Sequence, residues 1–66
     1  MSLLFIQHNL IDIEKNLLTI EDDAYKYIAN KTSSYIIMKN VSSQFDDIKS
    51  SLSTIKTILN QLKNVK

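Results

Sequence analysis

The side chains of this 66-residue chain that could do chemistry are one histidine, seven carboxylates, eight lysines, three tyrosines and a scatter of serines. The acids gather at Glu21-Asp22-Asp23 and Asp46-Asp47, a grouping that would suit a divalent cation or a pair of acid-base carboxylates. Successive residues on a helix, however, point about 100° apart. Helix-borne di-metal sites also bring Glu-x-x-His motifs, and none occurs here. His8 has neither a second His nor a Cys with which to share a metal. A nucleophilic Ser needs a base and an orienting acid held together in a cleft, and one His on an outward face does not anchor that arrangement. The acids and His8 therefore read as solvated surface groups. The expectation is a chain that is not an enzyme, with no catalytic residues, no metal, no cofactor and no small-molecule substrate.

Composition narrows the classes further. Gly, Pro and Cys are all absent, which removes disulfide frameworks, thiolate zinc sites and glycine loops that cradle phosphates. Formal net charge is +1, so no bulk attraction to nucleic acid or anionic membrane is implied. The apolar opening Leu3-Leu4-Phe5-Ile6 is interrupted at once by Gln7-His8-Asn9, too short for the apolar core of an export signal. No window approaches the roughly 20 apolar residues of a membrane span. A soluble, cytoplasmic chain is expected, and the two glycosylation-like triplets, Asn30-Lys31-Thr32 and Asn40-Val41-Ser42, read as chance.

The elements that must position these residues follow from a seven-residue repeat. With Leu3 at position a, the a-sites are Leu3, Leu10, Leu17, Ala24, Lys31, Met38, Phe45, Leu52 and Leu59. The d-sites are Ile6, Ile13, Ile20, Tyr27, Ser34, Val41, Ile48, Ile55 and Leu62. All are apolar or aromatic except Lys31 and Ser34, which are neighbours in the repeat. So sustained a 3-4 spacing keeps one seam of an α-helix apolar turn after turn, and the chain is predicted to be all-α. The two exceptions fall within the polar run Asn30-Lys31-Thr32-Ser33-Ser34. Asn can take the left-handed conformation that ends a helix, and Thr32 or Ser33 can cap the next. The prediction is one domain, 1–66, with helices at 3–29 and 34–65 and a turn at 30–33.

The alternative is a single helix about 100 Å long that dimerises in a parallel coiled coil around a polar middle layer. Folding the sequence back at the turn fills every layer of an antiparallel seam. Leu3 meets Leu62, Ile6 meets Leu59, Leu10 meets Ile55, Ile13 meets Leu52, Leu17 meets Ile48 and Ile20 meets Phe45. Charge also favours the hairpin: e-sites carry Glu14 and Glu21 in the first arm and Lys49, Lys56 and Lys63 in the second, and e faces e only across an antiparallel seam. In this register Glu14 lies nearest Lys49, and Glu21 meets only Ser42.

A lone helix pair buries little, and chains this short usually need a staple, a metal or oligomerisation. Apolar residues are left over outside the seam: Leu4, Ile11, Leu18 and Tyr25 recur at position b, with Phe5 and Ile58 also off the a/d rows. This b-stripe is the predicted partner interface. It would close a four-helix bundle as a homodimer or receive a helix of a different protein. In length and two-helix plan the chain is similar to the small helical co-chaperones of bacterial secretion apparatus, which hold an aggregation-prone subunit against an apolar face. The expected function is therefore a non-catalytic protein–protein interaction module, a small adaptor, co-chaperone or complex subunit. The alternative is a dimeric helical-hairpin regulator that binds nucleic acid through Lys39, Lys49, Lys56, Lys63 and Lys66. The even charge balance and the lack of Arg weigh against it.

Overall fold

The computed structural model describes residues 2–65. It consists of two helices, α1 (Leu3–Lys31) and α2 (Tyr35–Leu62), packed against each other as a hairpin. The molecule is 53 Å in its longest dimension and 17 × 11 Å across, about half the length a continuous helix of this chain would have. The polar break is thus a turn, and the single long helix is ruled out for this structure.

The turn works without glycine and without any left-handed residue, since no positive φ occurs among the described residues. α1 runs through Asn30 to Lys31, past the expected end at 29, and stops because Thr32 is extended (φ −156°, ψ 154°). The backbone N–H of Thr32 still donates to the Ile28 carbonyl at 2.9 Å, and the Thr32 hydroxyl accepts from the Ser34 N–H at 3.0 Å. Ser34, rather than Thr32 or Ser33, then caps α2 by accepting from the Ile37 N–H at 3.4 Å. Both polar exceptions in the repeat have local reasons. Ser34 satisfies an N–H that the first turn of a helix leaves unpaired. Lys31 places its charge at a helix C-terminus, where the backbone dipole favours a cation, and its ammonium lies 5.5 Å from the centre of the Tyr27 ring.

At the other ends, Ser2 caps α1 by accepting from the Phe5 N–H at 3.2 Å. α2 ends at Leu62, short of the expected 65. Beyond it the Asn64 and Val65 N–H groups donate to the Gln61 and Leu62 carbonyls at 3.2 and 3.0 Å, the tighter turn by which a helix lacking a left-handed cap satisfies its last carbonyls.

The two arms hide very little. Leu10 alone is buried, at 8% exposure, and no side chain is fully enclosed among the described residues. A folded monomer of this mass would expose about 4,300 Å², whereas this chain exposes 5393 Å². The excess is about 1,100 Å², and fifteen large apolar side chains contribute to it.

Because Ser34 carries the cap, replacing it with Ala is expected to lower stability by about 1 kcal/mol. Ser33→Ala, at an exposed turn position with no capping bond, should shift it by less than about 0.5 kcal/mol. Urea midpoints followed by circular dichroism check the contrast; equal effects would contradict this assignment of the cap.

Candidate functional site

The half-buried residues of each arm show which stripe faces the other. Every a-site from Leu3 to Leu59, Lys31 excepted, is buried or half-buried, as are the e-sites Gln7, Glu14, Glu21, Ile28, Ser42 and Lys49. Most d-sites are not: Ile13, Ile20, Tyr27, Ile48, Ile55 and Leu62 stand exposed, and only Ile6 and Val41 among the apolar d-sites are half-buried. Within the hairpin the seam is therefore built mainly from a and e, with Ile6 and Val41 the two apolar d-sites that join it. Of the twelve seam residues predicted from sequence, Leu3, Ile6, Leu10, Leu17, Phe45, Leu52 and Leu59 enter it. Ile13, Ile20, Ile48, Ile55 and Leu62 are corrected to an exposed row.

The rotation brings polar side chains together along the e edge. Lys49 Nζ donates to both carboxylate oxygens of Glu21, at 2.8 and 2.9 Å, and the Tyr25 hydroxyl donates to the same carboxylate at 3.2 Å. The Glu21 side chain is only 13% exposed there. One heptad away Lys56 pairs with Glu14 at 3.3 Å, and a further heptad along α1 Gln7 Nε2 donates to Asn60 Oδ1 at 3.2 Å. Tyr25 also meets the Phe45 ring edge-on, with centroids 6.0 Å apart. These contacts form a polar clasp between the arms. They displace the expected charge partners by one heptad: Glu14 finds Lys56 instead of Lys49, and Glu21 finds Lys49 instead of lying beside Ser42. A signal for this was present in the sequence, since one register lets both Glu residues pair and the other lets only Glu14 do so.

The clasp perturbs its own ionisation. Hydrogen bonding to Lys49 holds the Glu21 carboxyl below its ordinary value, with smaller help from Tyr25 and against a partial loss of hydration. The same bond raises Lys49 above its ordinary value. On the outer face Lys26 is raised likewise by its bond to Asp22, 2.9 Å away.

The predicted partner stripe divides. Leu4, Phe5, Ile11, Leu18 and Ile58 are exposed, whereas Tyr25 is half-buried against Phe45 and Glu21. On the clasp face Leu4 and Ile11, with His8, Lys56 and Asn60, line an open groove of about 290 Å³. Leu18, Glu14, Leu17, Lys49 and Leu52 line a second of about 220 Å³. α2 lines the first groove with Lys56 and Asn60 and the second with Lys49 and Leu52, so most of the apolar rim comes from α1. Among the described residues no group of three His, Cys, Asp or Glu could hold a metal ion. His8 is exposed at the edge of the first groove. Among the described residues no helix is long and apolar enough to cross a membrane.

The clasp predicts a pH dependence with a definite sign. A carboxyl whose value is lowered on folding adds stability above its unfolded value of about 4.5, lost as pH falls through the lowered folded value. An ammonium raised on folding adds stability below about 10.5, lost as pH rises through the raised value. Glu21→Gln should flatten both limbs of the stability profile, measured as thermal midpoint against pH. An unchanged profile would show that the Glu21–Lys49 pair does not hold the arms.

The chain matches no family model, and neither the curated proteins nor the solved structures contain a significant match to it, so its functional reading rests on its own geometry.

Proposed function

We propose that the chain is a non-catalytic helical interaction module, a small adaptor, co-chaperone or complex subunit that buries an apolar face against another helical surface. The observation that carries this reading is the surface left over after the hairpin has formed. Among the described residues Leu10 is the one buried side chain, while fifteen large apolar residues stay exposed, among them the d rows of both arms and the b row of α1. Contiguous apolar surface of this extent is uncommon on soluble monomers and marks a site of association. Folding a chain this short on one seam also leaves it marginal, so association supplies stability that the hairpin lacks.

The lysines give the nucleic-acid alternative little support. Lys49 and Lys56 are engaged by Glu21 and Glu14, which withdraws two of the three lysines on α2 from a phosphate backbone, and Lys26 on α1 is engaged by Asp22. Four-helix assembly and partner choice belong to the same proposal.

Association couples to folding by mass action. Thermal melts followed by circular dichroism across a hundredfold range of chain concentration should show a midpoint that rises with concentration, or a chain that becomes fully helical only when a partner is added. A cooperative, concentration-independent melt of a helical monomer would contradict the proposal.

A further inference from the structure

On a heptad wheel the d and e positions lie on opposite flanks of a. The e side chains of both arms meet in the Glu21–Lys49 and Glu14–Lys56 pairs, so the d rows of both arms emerge together on the opposite face. Ile13, Ile20, Ile48 and Ile55 stand there at 42–57% exposure, with Tyr27 and Leu62 also on the row. Unlike the clasp face, this one is apolar on both arms. Among its d and g positions within the described residues, Asp23 is the only charged side chain; the other polar groups include Asn9, Asn16, Gln44 and Ser51.

We infer that this face is the docking surface for a second copy of the chain, giving a two-fold symmetric four-helix bundle whose second seam is made by the d rows. The inference rests on the interaction-module reading and names its partner and its surface. The composition fits: six of the fifteen exposed large apolar side chains, Ile13, Ile20, Tyr27, Ile48, Ile55 and Leu62, stand on the d rows, and the excess surface of two whole chains, about 2,200 Å², sets the scale of what association has to cover, the range of obligate homodimers. The charge pattern fits as well. A face with one carboxylate and no cation offers nothing to steer a charged partner, and little to repel its own copy across a two-fold axis. The wheel fits too, because a bundle helix must touch two neighbours, one across a and e and one across d. The b-stripe on the opposite face stays outside this contact.

The chain has no cysteine, so single-cysteine variants report the contact cleanly. Ile20→Cys and Ile48→Cys lie near the middle of their arms, where any two-fold alignment keeps a residue close to its own copy. Ile11→Cys and Leu18→Cys serve as the clasp-face comparison. Each full chain is treated with a short bis-maleimide at micromolar concentration, with mass by sedimentation equilibrium and helicity by circular dichroism. Expected are a helical particle of twice 7.6 kDa and covalent dimer at least five-fold more abundant from Ile20→Cys and Ile48→Cys than from the other two. A dimer linked preferentially through Ile11→Cys or Leu18→Cys would overturn the d face as the surface while leaving the module reading intact. An unfolded monomer would overturn the second copy as occupant and leave a different partner as the module's target. A helical monomer would overturn both.

Discussion

Two helices packed side by side share a single seam, and that geometric limit governs the molecule. The heptad pattern supplies three apolar rows on α1, at a, d and b, and the hairpin covers only the first of them. Leu10, Leu17, Leu52 and Leu59 lie on the seam rows, yet of the four only Leu10 is buried, at 8% exposure. A wider apolar arc than one seam can cover is what a bundle helix needs and what an isolated hairpin cannot use. On the proposed reading, the surplus is the functional part of the sequence.

Which row fills the seam is decided by polar chemistry at its edge. Turning the arms toward e allows Glu21 to take a two-oxygen bond from Lys49, and Glu14 and Gln7 to reach Lys56 and Asn60. Exposed ion pairs add little stability singly, but a row of them at heptad spacing selects one rotation and one register from several of similar apolar content. The same turn moves Ile13, Ile20, Ile48 and Ile55 out of the hairpin. Polar pairing on one face and apolar exposure on the other are thus two results of one rotation, and the hairpin becomes two-sided, clasped by ion pairs on one face and apolar with a single carboxylate, Asp23, on the other.

The helices, the turn and the antiparallel sense were legible in the residues. The 3-4 spacing specifies helix, and the polar run at 30–34 interrupts it at the one place where the chain reverses. The rotation was harder to read, because Leu at a and Ile at d are equally apolar, and periodicity does not say which neighbour a row faces. Pair counting among Glu14, Glu21, Lys49 and Lys56 would have given the register. The b-stripe was legible as exposed apolar surface, although Tyr25 was claimed by Phe45 and Glu21 within the hairpin. The d face could not be anticipated once its residues had been assigned to the seam. The turn shows a related limit: serine and threonine hydroxyls can each cap, and only the extended backbone of Thr32 places Ser34 at the capping position.

The claim that one seam is too little for this chain is tested most directly by small-angle X-ray scattering with absolute forward intensity, which reports mass and longest dimension together. The account predicts a particle of twice 7.6 kDa whose length stays near the 53 Å of the single hairpin, because a second copy laid on the d face thickens the molecule without lengthening it. A compact, fully folded particle of 7.6 kDa would contradict it, since the hairpin would then be stable with its apolar rows in water.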